Sequence, residues 1–391
     1  MSISPEMFRA ATVSIVNPDP ARAGADVAEE LLAELGRAPD LVLMFASAAL
    51  APQEVLDGFY TKMPAAVRLI GCSSYAEVNN DEALSHSVTA MGFLLGPVEA
   101  RVVRAEPGPG QAVGEAIAAQ LADFHPSLLM VLPDVLTVNI AQLLHGLQAR
   151  LGRTFPIIGG APADMGTITL THQFRDREVF PGGVVALALR GPLRVVTAAH
   201  SGYTQFGSER TITRTEGAKI REIDGQSAVA AYLDALGPRA SDLTSARIEH
   251  PLGIVRQRGA ERRPDDSPLI RIVFGVQPET DSLVLGSDIE EGTVVRMTRG
   301  SRDNLLAAAD IACSQVAAQV ARPTAAFVFD CISRKVVLGT RYKEEIRAAF
   351  AHIPEGVPRI GFYTFGEVSP VHGVAMHHES TFTLAFLVVE P

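Results

Sequence analysis

The chain has little of what marks the specialised protein classes. It holds three cysteines, Cys72, Cys313 and Cys331, in no paired framework and at no metal-type spacing. A disulfide-stapled fold is excluded, and a reducing cytoplasm is the simplest compartment. Lysine occurs only at Lys62, Lys219, Lys335 and Lys343, and arginine supplies the remaining cations, a coding preference with no functional weight. The 34 Lys+Arg stand against 44 Asp+Glu, a net charge of −10, with no basic block. Nonspecific binding to nucleic acid or to an anionic membrane surface is therefore not expected. No run reaches the roughly 20 apolar residues of a membrane helix, and the best, Leu41 to Ala51, is broken by Ser47. The first residues include Glu6 and Arg9 and show no apolar segment with a cleavage site, so we expect no secretion signal. Aromatics are only 6%, yet hydrophobic residues are 47% of 391, enough for a globular chain of two or three domains.

Familiar catalytic signatures are missing too. There is no HExxH, no paired CxxC and no G-x-S-x-G elbow. Gly108-Pro-Gly-Gln-Ala-Val-Gly114 precedes a helix but lacks the lysine of a phosphate loop, and reads as a proline-bounded linker. His372, His377, His378 and Glu379 cluster near the end. On a strand, however, adjacent His377 and His378 point to opposite faces, which argues against a shared metal. We expect neither metal nor cofactor.

What is present is a repeat. Three short apolar runs, Leu41–Ser47, Ser127–Asp134 and Ala325–Cys331, have the look of strands covered on both faces. A helical pattern follows each (Pro52–Lys62, Val138–Leu151, Tyr342–Ala351), and another precedes each (Ala21–Leu35, Gln111–Phe124, Arg302–Val320). A proline-led strand then runs into Ile70-Gly71, Ile158-Gly159 or Ile360-Gly361, and a closing strand follows at Val88–Leu95, Gly183–Leu189 and Thr381–Val389. Ile70-Gly-Cys-Ser-Ser-Tyr-Ala-Glu-Val78 aligns without gaps to Ile360-Gly-Phe-Tyr-Thr-Phe-Gly-Glu-Val368. Between the second and third copies, about Pro192 to Thr298, short strands and turns surround one helix at Ser227–Leu236. A hairpin is expected across Ile270–Val276 and Ser282–Leu285, and a charged loop at Arg256 to Asp266. The expected fold class is α/β: repeated strand–helix–strand units in mixed, largely parallel sheets, with a mainly β insertion.

In such folds ligands sit beyond the carboxyl ends of parallel strands. This selects Ser47, Asp134 and Cys331, and the segments Cys72–Glu77, Gly160–Asp164 and Phe362–Glu367. Cys331, with Arg334 three residues on, has the surroundings of a nucleophile, although buried thiols are usually inert. Glu77 and Glu367 are equivalent in the repeat and would share a proton, hold a cationic group, or pair with a local arginine.

Together these motifs resemble the FIST family, named for F-box and intracellular signal transduction proteins. The N-terminal signature is carried by Ile70–Glu77, Ile158–Asp164 and Glu222–Ala228. The C-terminal one is carried by His250–Gly253, Cys331–Arg334, Gly361–Glu367 and His378–Thr381. On this resemblance residues 35–235 form the N-terminal FIST region and 236–391 the C-terminal one, with 1–34 supplying the first strand and helix. Ser74 and Ala76 stand where members often have Thr and Gly, and Glu379 where they often have Asn. The resemblance implies a sensory role: binding a small metabolite, amino acids among those proposed, with output through a separate signalling protein. The expected ligand site joins Gly71, Cys72, Ser73, Ser74, Gly160, Asp164, Cys331, Arg334, Tyr363 and Glu367. There Arg334 grips a carboxylate, Glu367 an ammonium or hydroxyl, and the Gly71 and Gly160 N–H groups complete the cradle. A Cys331-dependent enzyme and a protein-interaction scaffold remain as alternatives.

Overall fold

The computed structural model describes residues 7–256 and 266–390. Residues 257–265 of the charged loop, and the segment 1–6 that bears on a leader, lie outside the described residues.

The first unit runs β1 (Arg9–Val16), α1 (Pro20–Leu35), β2 (Leu41–Ser47), α2 (Pro52–Lys62), β3 (Arg68–Ser74), the hairpin β4–β5 (Glu77–Val78, Ala83–Leu84) and β6 (Ser87–Leu94). The second repeats that order: β7 (Glu99–Ala105), α3 (Gly110–Ala119), β8 (Leu128–Pro133), α4 (Ile140–Leu151), β9 (Ile157–Gly160), β10–β11 (His172–Arg175, Glu178–Pro181) and β12 (Val184–Arg190). The third opens with β13 (Leu193–His200), which the sequence pattern had merged with the insertion. The insertion itself comprises β14 (Thr204–Glu216), β15 (Lys219–Ile223), β16 (Gln226–Ser227), α5 (Ala228–Leu236), α6 (Leu243–Glu249), β17 (Leu252–Arg256), β18 (Leu269–Arg271), β19 (Val273–Gln277), β20 (Ser282–Leu285) and β21 (Val294–Arg299). The third unit then resumes as α7 (Arg302–Ala317), β22 (Ala325–Cys331), α8 (Ile332–Leu338), α9 (Tyr342–Phe350), β23 (Arg359–Thr364), β24–β25 (Glu367–Val371, Val374–His378) and β26 (Phe382–Val389).

Local chemistry explains the helix limits. Asp19 caps α1 by accepting the Arg22 N–H at 3.0 Å, Pro20 opens it, and Gly36 closes it at φ 75°. Asn139 and Ser301 cap α4 and α7 in the same way.

The three repeat sheets are mixed, and the expectation of largely parallel sheets is corrected. Their strand orders are β1-β6-β2-β3, β7-β12-β8-β9 and β13-β26-β22-β23. Each contains one parallel pair, β2/β3, β8/β9 or β22/β23. The closing strand of each unit slots in antiparallel beside it. Continuous apolar runs signal burial on both faces, and here burial comes from layering, whatever the strand direction. Leu43 and Phe45 of β2 face a common core, whereas Val42, Met44 and Ala46 face the helices. That common core takes Phe45 and Ile70 from the first sheet, Leu132 and Ile158 from the second, and Phe329 and Phe362 from the third. The sheets thus stand like three walls around one apolar centre. Helices α1 and α2, α3 and α4, and α7 and α9 cover the outer faces.

Each wall is finished by a hairpin from another unit. The first unit's β4 pairs with β23, the second's β10 with β3, and the third's β24 with β9. The exchange is cyclic and extends all three sheets to six strands. The insertion forms a separate, wholly antiparallel eight-stranded sheet. It curves as a half-barrel around α5, with Ile220, Ile254, Leu283 and Val295 packing on Val229 and Tyr232. The expected hairpin is there as β19–β20, while Ile270 belongs to β18.

Candidate functional site

The glycines of the repeat occupy equivalent places, and their role is structural. A Cβ on Gly71 would lie 1.9 Å from the Met44 carbonyl oxygen, on Gly159 1.9 Å from that of Val131, and on Gly361 2.1 Å from that of Val328. Glycine lets each parallel pair close up. Gly71 lies inside its sheet between β2 and β10, and Gly160 pairs with Glu367 while making room for the Thr364 methyl. Neither position offers the N–H cradle expected of it.

One residue pattern ties the strand tips of units one and three. Ser74 donates to Oε1 of Glu77, and Thr364 donates to Oε1 of Glu367. The other carboxyl oxygen accepts a backbone N–H from the start of the closing strand, Ser87 or Thr381, at 3.2 Å in both units. The two glutamates are staples between consecutive strands, each fully buried. Burial raises Glu77 to about 7 against these hydrogen bonds, and Glu367 to about 8. In an unfolded chain both would ionise near 4.5. The native state therefore holds more protons between those values, and stability from these groups falls as pH rises from about 5 to about 8. Urea midpoints across that range should decline for the wild type and decline less for Glu77→Gln and Glu367→Gln. An equal slope in the variants would show that the carboxyls ionise normally.

The remaining expected site residues fall into separate places. Cys72 is in the common core. Ser73 bridges two segments, donating to the Ala163 carbonyl and accepting the His172 N–H, both at 3.0 Å. Cys331 lies beside Glu367, and burial, then the charge of Glu367, raise its thiol well above the ordinary range. That environment is the reverse of an activated cysteine. Arg334 is fully buried. Its Nε lies 3.0 Å from Asp330, and its Nη groups bond to Glu345 and to the carbonyls of Ser201 and Leu305. The expectation that it grips a ligand carboxylate is not met, because its guanidinium is engaged inside the protein. Tyr363 packs nearby in a buried layer, its hydroxyl without a hydrogen-bond partner among the described residues.

Asp164 is a latch. Its carboxylate accepts from the N–H groups of Gly166 (2.8 Å), Ile168 (3.0 Å) and Thr169 (2.8 Å) and from the Thr167 hydroxyl (2.8 Å). It thereby holds Ile168 at φ 55°, a conformation that costs a β-branched residue about 1–3 kcal/mol. Ile168 is held at the edge of a cavity of about 220 Å³ where the second unit, the third unit's hairpin and the insertion meet. Val135, Leu136, Phe274 and Phe365 supply most of the remaining wall.

Two polar groups enter that wall, His377 and Glu379. His377 and His378 do face opposite ways from β25: His378 lines a second cavity of about 270 Å³. The His377 ring is buried, and neither nitrogen has a hydrogen-bond partner among the described residues. Burial, then the nearby Arg271 and His378, hold it well below the usual histidine range, so it is neutral. Gly366, at φ 151°, makes room for it: a Cβ there would sit 2.6 Å from Nε2. Glu379 is committed, accepting the Ile272 N–H at 2.7 Å and the Ser287 hydroxyl at 3.1 Å, with Arg271 at 4.0 Å.

Sequence reasoning weighed His377 only as a metal ligand and passed over Lys335. The latter's Nζ lies 4.2, 4.7 and 5.3 Å from the ring centres of Tyr342, Tyr75 and Tyr363. Its three tyrosines come from two units, so no local spacing announces them.

The FIST N domain model matches residues 40–226, and the FIST C domain model matches residues 228–370. The uncharacterized protein Rv0628c of Mycobacterium tuberculosis is 25% identical, covering 95% of this chain and 97% of its own length. The uncharacterized protein Mb0898c of Mycobacterium bovis is 24% identical, with 95% and 96% covered. The uncharacterized protein MJ1623 of Methanocaldococcus jannaschii is 22% identical, with 93% and 76% covered. A solved structure of cyanuric acid hydrolase from A. caulinodans aligns over 98% of this chain and 100% of its own, at 10% identity and a TM-score of 0.35. That likeness is too slight to carry a statement about this chain.

Proposed function

We propose that this chain, which belongs to the FIST family and carries its N and C domains in tandem, is a cytoplasmic sensory protein that binds a small metabolite and signals through a separate protein partner. The observation that carries the reading is His377: a buried, neutral imidazole that lines a cavity and whose nitrogens have no hydrogen-bond partner among the described residues. Buried polar groups are nearly always hydrogen-bonded, and a largely apolar pocket with one or two placed polar groups is the usual form of a small-molecule site. Leu136, Ile168 and Phe274 are 37–44% exposed at the cavity wall, so occupancy would alter a surface that a partner can read. The three buried, unpaired thiols suit a reducing compartment.

The test is a thermal-shift screen of metabolites, amino acids included, on wild type and His377→Ala. We expect a ligand that stabilises the wild type and loses that effect in the variant. A broad screen with no hit that depends on His377 overturns the reading.

A further inference from the structure

Resting on the reading of the His377 cavity as the ligand site, we propose that the site selects an uncharged, compact, mainly apolar molecule with one hydrogen-bonding group, of the neutral heteroaromatic class. Five of its walls are hydrocarbon: Val135, Leu136, Ile168, Phe274 and Phe365. An apolar cavity of roughly 150 Å³ takes up benzene, so one of about 220 Å³ has room for a bicyclic ring.

Charge is what the site does not answer. An anionic ligand would meet the Glu379 carboxyl, and among the described residues no free cation lines the cavity opposite it. Arg271, the nearest guanidinium, directs one Nη to the Ile270 carbonyl at 2.8 Å and more distantly to that of His377 at 3.4 Å, and its charge already faces Glu379. A cationic ligand would meet a carboxyl that already accepts from Ser287 and the Ile272 N–H and has the Arg271 Nε 4.0 Å away. Burying an unpaired charge in such a place is strongly unfavourable. Neutral His377, by contrast, has one donor and one acceptor nitrogen to offer, which suits a ring N–H, a ring nitrogen or a carbonyl. Met165 and Leu170 are exposed on the same Asp164-latched loop as Ile168, so the apolar surface continues outward from the wall.

A matched probe series separates the terms: indole (neutral), indole-3-carboxylate (anion), tryptamine (cation) and tryptophan (zwitterion). Binding is measured by calorimetry and thermal shift on the full chain. Indole should bind, and each charged analogue should bind at least about 100-fold more weakly. His377→Phe keeps an apolar ring and should weaken indole by about tenfold. Leu136→Trp, at a partly exposed wall position, should block indole without touching the core, which keeps the test valid if the histidine variant misfolds. Charged analogues binding as tightly as indole, with Leu136→Trp abolishing both, would overturn the ligand class and leave the site reading intact. No indole binding also overturns the class. The site reading falls only if the wider metabolite screen finds no His377-dependent ligand.

Discussion

Arg334→Ala is expected to destabilise the protein by about 3–5 kcal/mol, the cost of leaving buried charges without their partner. The guanidinium forms ion pairs with both Asp330 and Glu345, and burial followed by the charge of Glu345 already raises the Asp330 carboxyl well above its usual range. It also fastens the chain. Ser201 follows β13 where the insertion departs, and Leu305 lies in α7 where the third unit resumes; Arg334 donates to both carbonyls. Arg334→Lys should recover little, since an ammonium cannot span four acceptors set around a planar fork. Arg334→Met combined with Asp330→Asn and Glu345→Gln should recover much of the loss, because it removes the charges together. Chemical denaturation at neutral pH measures each. A loss below about 1 kcal/mol for Arg334→Ala, the range of surface ion pairs, would show that the cluster is not held by charge.

Gly361→Ala should be worse still, beyond about 4–5 kcal/mol or incompatible with folding. Its Cβ would sit 2.1 Å from one backbone oxygen and 2.8 Å from the Val328 Cβ, and neither atom can yield without parting the strands. Gly71→Ala and Gly159→Ala repeat the conflict at 1.9 Å. Gly108→Ala is the control: the nearest atom is a valine methyl at 3.5 Å, so a change within about 0.5 kcal/mol is expected. Expression yield and denaturation midpoints decide the matter. Mild behaviour in all three strand variants would mean that the sheets are looser than described.

The glycines also show how far the amino-acid pattern reaches. Ile70-Gly71, Ile158-Gly159 and Ile360-Gly361 marked true equivalents, and the apolar runs marked true strands. What they served was misread, since a residue that must be glycine for close packing looks the same in sequence as one that must approach a ligand. Strand direction was lost for a similar reason: burial on both faces gives one hydrophobic signature whether the neighbour runs parallel or antiparallel. The exchanged hairpins were invisible because β4 has two residues and its partner lies nearly three hundred residues away. At the site, alternation along β25 correctly separated His377 from His378. The cavity itself joins the second unit, the third unit and the insertion, and no local spacing encodes that meeting.

The cyclic hairpin exchange has a consequence for biosynthesis. As the chain leaves the ribosome, the first unit can form its four strands, but its β4–β5 ribbon has nowhere to dock until β23, ending at Thr364, has been made. The first unit's own edge waits for β10. The nascent protein therefore carries open sheet edges until the third unit emerges, an invitation to pair with a neighbouring chain. The last wall closes only once the third unit has been made, so the two halves should not survive as separately expressed fragments.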